Sequence, residues 1–164
     1  MEHETRDLPP MARRVIVGND EAASSTVVAD ERNLPRTRLP NGILLQELWQ
    51  QRDIPAKRED LPESEWTLGP AAPTEGAVVR ILTVPAATGS AVLEPDLHTD
   101  PSLHVITMLT GELDVILERD EVTLSVGDSI VLRDSMHDLR NTQSRPASFV
   151  YTSFPLARGE RGGR

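Results

Sequence analysis

The feature that most constrains this chain is the shortness of its apolar runs. They are rich in β-branched residues and are cut off every few positions by Gly, Pro, Asp or Asn, which is the punctuation of strands and turns. The clearest runs cover residues 15–17, 26–29, 42–49, 77–84, 103–109, 113–118, 122–126, 129–133 and 147–154, and they predict about nine or ten strands. No segment carries the 3.6-residue periodicity of an amphipathic helix. The chain reads as all-β.

Alternation within the runs assigns faces. Leu113, Val115 and Leu117 alternate with Asp114, Ile116 and Glu118, and Val122, Leu124 and Val126 alternate with Thr123 and Ser125, so each strand should turn one face to a core. Residues 118–121, Glu-Arg-Asp-Glu, form a polar hairpin turn between them. The run 103–109 is apolar on both faces apart from His104 and Thr107. That suits a central strand with a cavity on one side and a packed sheet on the other.

At 164 residues the chain matches one domain able to bury a core of its own. Residues 1–12 and 158–164 read as charged or Arg/Gly-rich tails around a single domain at 13–157. His3 falls in the first tail and is expected to be solvated. The segment 50–76 holds four prolines and many charges, and a loop of that length commonly covers or gates a site. Trp66 within it would close over a pocket or simply pin the loop to the barrel.

Bulk chemistry narrows the function. There is no cysteine, which excludes disulfides, thiolate catalysis and Cys-based metal sites and leaves His and carboxylates as the strong ligands. A net charge of −9 with two Trp, one Tyr and two Phe argues against a phosphate-tracking, base-stacking surface, so no nucleic-acid partner is expected. No apolar run approaches the roughly 20 residues that span a bilayer. The start, Met1-Glu2-His3-Glu4, does not open a signal peptide, and the expectation is a soluble, cytoplasmic protein without a membrane partner. A small molecule is the expected substrate.

Chemistry concentrates in the second half, at His98, His104 and His137. His98 and Asp100 are two apart, so in an extended segment they share a side, and Pro101-Ser102 then supplies a turn from which His104 opens the next strand. His137 follows the turn-like Asp134-Ser135-Met136 and reaches the same place only if the strand at 129–133 packs beside that at 103–109. Arg80 interrupts an apolar strand. It would anchor a substrate carboxylate or carbonyl, or snorkel to solvent. Met108 shares the face of His104 and Ile106 by period-2 counting and would line an apolar pocket. Trp49 and Tyr151 would do likewise or pack in the core, and Asn141 is expected to bond backbone after His137.

These spacings resemble the small single-domain cupins, whose first motif reads His-x-His, three or four residues, Glu, six residues, Gly. Counting back six residues from Gly111 puts His104 at the Glu position, Asp100 at the second His and His98 at the first. In the second motif Gly127-Asp128 opens the strand, His137 stands at the His position and Asn141 follows after three residues. The motifs cover residues 98–111 and 127–141. Asp100 replaces a His, His104 replaces a Glu, and Arg133-Asp134-Ser135 stands in the place of the usual Pro-x-Gly turn. The resemblance implies a double-stranded β-helix, or jelly-roll barrel, with N-terminal extension strands and a site inside its mouth. It also implies a homodimer, since barrel-edge strands pair in that family.

Cupins span enzymes and binding modules. The expectation here is a cupin enzyme doing non-redox chemistry on a mostly apolar carbonyl compound, as a cyclase, isomerase, dehydratase or decarboxylase of natural-product (polyketide-like) biosynthesis. Three imidazoles and a carboxylate would hold a divalent metal, Zn²⁺, Fe²⁺, Mn²⁺ or Ni²⁺, on His98, His104 and His137, or one histidine would shuttle the proton directly. Asp100 would orient an imidazole or act as base. No organic cofactor is expected. The alternatives are an Fe-dependent cupin dioxygenase and a metal-free small-molecule-binding barrel without catalysis.

Overall fold

The computed structural model describes residues 12–57, 73–87 and 95–157. Trp66, His3, residues 1–11 of the first tail, the whole second tail and the middle of the segment 50–76 lie outside the described residues. Every regular element among the described residues is a strand.

The strands are β1 (Arg14–Asn19), β2 (Ser25–Glu31), β3 (Arg36–Arg38), β4 (Leu44–Gln51), β5 (Ala77–Val84), β6 (Ser102–Thr110), β7 (Leu113–Leu117), β8 (Glu121–Leu124), β9 (Ser129–Arg133), β10 (His137–Arg140) and β11 (Ala147–Pro155). They form a six-stranded sheet in the order β3-β4-β5-β11-β6-β9, a three-stranded sheet β10-β7-β8 and a hairpin β1-β2. Two strands carry no sequence signal. β3 is Arg-Thr-Arg, three residues on a sheet edge, and β10 is His-Asp-Leu-Arg, held by its antiparallel register with β7.

The core lies between the two larger sheets. Val84, Ile106, Met108, Leu132 and Phe149 of the six-stranded sheet pack with Leu113, Val115 and Leu124 of the three-stranded one. This is the two-layer solution for sheets that are apolar on one face. In β7 the expected face holds, with Leu113 and Val115 fully buried. Asp114, on the other face, is also buried, and its carboxylate accepts from the hydroxyls of Thr123 at 2.7 Å and Thr142 at 2.8 Å, which offsets the cost of removing the charge from water. The expected core face of β8 is not observed: Leu124 is buried, but Val122 and the adjoining Val126 are exposed, because β8 ends the sheet and its outer neighbours are solvent. Nor is β6 covered on both sides. Ser102, His104, Ile106 and Met108 are buried while the alternate residues are partly or fully exposed.

The turns follow backbone sterics. Gly111, between β6 and β7, has φ +74°, and an added Cβ would stand 3.0 Å from both the Ala147 Cα and the Pro146 carbonyl oxygen, so only Gly fits. Asp134 takes φ 48° in the turn after β9. Asp tolerates that left-handed conformation better than most residues, and here it is held from across the fold: its carboxylate accepts from the Thr99 hydroxyl at 3.2 Å and its N–H donates to Ser102 O at 3.1 Å. The turn therefore ties β9 to the start of β6. The β1-β2 hairpin docks on β4 through the Arg14 guanidinium, which donates to Leu48 O at 2.9 Å, and the Ala12 N–H, which donates to Gln46 Oε1 at 3.0 Å.

Candidate functional site

Strand register decides which side chains meet. Glu47, Arg80, Tyr151, Ile106 and Ile130 are successive partners across β4, β5, β11, β6 and β9. The adjacent row on the same face runs Gln50, Val78, Ser153, His104 and Leu132, since residues two apart in a strand share a face. β9 does pair with β6, so the condition for bringing His137 to the cluster is met. The main chains of His98 and His137 then bridge each other, N–H to O at 3.0 and 2.9 Å. Their rings lie 4.8 Å apart, and the His104 ring is 6.1 Å from that of His137. The three histidines form one cluster.

Their hydrogen bonds set their tautomers. His98 Nδ1 lies 3.0 Å from Asp96 O and His137 Nδ1 lies 2.8 Å from Ser135 O. A carbonyl oxygen only accepts, so both rings carry their proton on Nδ1 and each neutral ring keeps a lone pair on Nε2. His104 is held differently. Its Nε2 is 3.0 Å from Asp100 Oδ2, a carboxylate that only accepts, so Nε2–H is the donor. Its Nδ1 then accepts from the Tyr151 hydroxyl at 2.7 Å, the shorter of that oxygen's contacts with the ring; the other is 3.3 Å.

Burial reinforces this assignment. It lowers the His104 pKa from its ordinary 6.5, against the Asp100 carboxylate that raises it, so the ring is neutral at pH 7. Burial likewise pushes the Tyr151 phenol up to about 12, which keeps its proton in place. Tyr151, His104 and Asp100 make a continuous donor–acceptor chain.

This chain bears on the expected metal set. Both His104 nitrogens are already engaged, and among the described residues no group of three or more His, Cys, Asp or Glu side chains is arranged to hold a metal ion. The three-imidazole ligand set on His98, His104 and His137 is therefore not assembled; only His98 and His137 offer a second nitrogen. His104 stands where cupins carry a carboxylate, and it uses its two ring nitrogens as a link between a phenol and a carboxylate.

The remaining candidates separate by face. Arg80 is buried and does not snorkel. Its Nε donates to the fully buried Glu47 carboxylate at 2.5 and 3.0 Å. Burial raises the Glu47 pKa despite the guanidinium. Met108 shares the His104 face as expected, but it stands in the apolar core with Ile106 and Phe149, four residues and roughly 13 Å along the strand from His104. It packs the core. Trp49 is opposite Val79, on the outer face, because a register shift between Glu47 and Trp49 changes the phase of β4. It is turned away from the Arg80 and Tyr151 row. Asn141 anchors backbone, its amide donating to the carbonyls of Pro85 at 3.0 Å and Arg145 at 2.7 Å.

Three site residues escape a linear reading: Glu47, Ser102 and Ser153. Glu47 had a signal, a lone charge inside the apolar run 42–49. Ser153 had one only through its register opposite His104.

No protein-family model matches the chain, and no curated protein matches it in sequence. Solved structures do match. The cupin domain of Schizosaccharomyces pombe Cnp3 superposes with a TM-score of 0.53 at 10% identity, covering 87% of each chain. KdgF from Halomonas sp. gives 0.51 at 13% identity over 76% of this chain and 88% of its own. The fold is the cupin double-stranded β-helix.

Proposed function

We propose that this protein is a small cupin enzyme that moves protons on a mostly apolar carbonyl compound without redox change, as isomerases, cyclases, dehydratases and decarboxylases do. The observation that carries the reading is the Tyr151–His104–Asp100 chain, with contacts of 2.7 and 3.0 Å. It follows the logic of a nucleophile–histidine–carboxylate triad, with a phenol at its head.

In this reading Tyr151 Oη takes a proton from the carbon next to the substrate carbonyl while its own proton passes to His104 Nδ1. The Asp100 carboxylate stabilises the imidazolium that forms, and the positive Arg80 one strand away favours negative charge on the phenol oxygen. Reversal returns the proton to the same carbon or to a neighbouring one, which is isomerisation. The Nε2 lone pairs of His98 and His137 are a second pair of proton acceptors. The working unit is a homodimer, which the exposed apolar residues Leu109, Val131 and Phe154 on the outer sheet face favour.

The test is proton exchange in D₂O, followed by NMR on a panel of hydroxyketones and 1,3-dicarbonyls. Wild type should exchange the proton next to the carbonyl above the buffer rate for at least one of them, and Tyr151→Phe should lower that rate by about 10²-fold or more. Binding without any exchange would assign the barrel to ligand binding alone and sink the enzymatic reading.

A further inference from the structure

Three buried polar atoms around His104 have no hydrogen-bond partner among the described residues: Ser102 Oγ, Ser153 Oγ and Asp100 Oδ1. Ser102 is 1% exposed and Ser153 is fully buried. Leaving one such group unpaired costs about 1–3 kcal/mol, and unpaired buried groups are rare enough that each calls for an explanation. These three are not scattered. Ser153 is the direct cross-strand partner of His104, and Ser102 lies two residues before His104 on the same buried face. Asp100 Oδ1 lies 2.9 Å from His104 Nε2 but off its N–H axis, the hydrogen bond going to Oδ2. The proton-transfer chain uses Asp100 through Oδ2; the Ser153 hydroxyl bears on that chain only by favouring the ionised Tyr151 phenol against burial, and Ser102 takes no part in it.

We propose that Ser102, Ser153 and Asp100 form a niche for one hydroxyl oxygen beside His104. The assignment comes from counting donors and acceptors. Two serine hydroxyls can each donate, and a carboxylate oxygen can only accept. An alcohol has one donor and two lone pairs, so it donates to Asp100 Oδ1, accepts from both serines and leaves nothing over. A carbonyl oxygen would leave Asp100 without a donor. A carboxylate would meet the charge of Asp100, and an ammonium group would leave both serine protons unused. Water also supplies a hydroxyl and satisfies all three atoms, with one proton to spare. The niche thus holds an ordered water in the free protein and a substrate hydroxyl when ligand enters. On the reading of the site given above, the substrate class is a hydroxylated carbonyl compound.

The experiment uses acetone and hydroxyacetone, which differ by one hydroxyl, as NMR-monitored ligands of the full chain. Wild type is expected to bind hydroxyacetone at least tenfold more tightly than acetone, and Ser102→Ala with Ser153→Ala should erase that preference. Equal binding of the two probes by wild type, binding of neither, or a preference retained in the double variant would each overturn the niche. Crystals of the free protein should show one oxygen within hydrogen-bond distance of all three atoms, and crystals soaked in hydroxyacetone should show the ligand hydroxyl at that place. A thermal melt adds a control: if the serines are simply unpaired, the double variant is the more stable protein, which would also overturn the proposal. The binding preference is independent of proton exchange. A preference without exchange removes the catalytic reading and keeps the niche; exchange without a preference does the reverse.

Discussion

β6 and β11 run side by side, and their two halves are built differently. Toward one end Met108 and Phe149 are register partners, sealed against Leu113 and Val115 of the facing sheet. Toward the other, His104 faces Ser153, with Tyr151 and Ser102 alongside. At both ends the facing residues of β6 are buried. The apolar end recovers the ordering cost through close packing, at about 25 cal/mol per Å² of area removed from water. The polar end depends on hydrogen bonds, each with a net value of only about 1 kcal/mol, and three of its polar atoms lack partners among the described residues. One end holds the barrel together, and the other is held in place by it.

The largest expected effect breaks the apolar end. Phe149→Ala removes a fully buried ring and should lower unfolding free energy by about 3–5 kcal/mol, read from urea titration. A loss under 1 kcal/mol would mean that the core is not where the packing places it. Next comes the border between the ends. Arg80→Met strands the Glu47 carboxylate and should cost about 3 kcal/mol, whereas the double variant Arg80→Met with Glu47→Leu should return most of it, measured as a double-mutant cycle. Tyr151→Phe should cost only about 1 kcal/mol in stability while cutting proton exchange, a split that a core residue would not show.

The pH response is smaller and has a definite sign. The folded His104 pKa is below 6.5, so between that lower value and 6.5 the unfolded chain binds a proton that the folded one refuses. Stability therefore falls as pH drops through this window. Glu47, with its pKa raised above the usual 4.5, acts in the opposite sense and loses stability as pH rises through its own window. Melting curves of wild type against His104→Gln isolate the histidine term: the variant should lose less stability on acidification, and identical slopes would remove His104 as the cause. The smallest effect belongs to the β1-β2 hairpin, where Val27 is 57% exposed and Val27→Thr should stay within about 0.5 kcal/mol.

Much of this architecture was written in local sequence. The β-branched runs punctuated by Gly, Pro and Asp located most strands, because a two-residue side-chain period and turn chemistry are properties of neighbouring residues. The spacing of His98, Asp100, His104 and Gly111 likewise pointed to the cluster before any contact was known. β3 and β10 were not legible, since Arg-Thr-Arg and His-Asp-Leu-Arg have no intrinsic reason to extend. Their partners in β4 and β7 supply it.

What the chain alone determined is its all-β character and the spacing that marks His98, His104 and His137 as one cluster. The tertiary structure decided what those residues contact. Period-2 counting assigned Met108 to the His104 face correctly but could not tell core from site, because depth along a strand depends on the facing sheet. A one-residue shift in β4 turned Trp49 outward, since such a shift reverses the face of every residue beyond it. His104 is a link between Tyr151 and Asp100 because both of its nitrogens found partners, one 4 residues before it in sequence and the other 47 residues away. A hydrogen bond across that distance follows from the register of β6 with β11, which no local pattern contains.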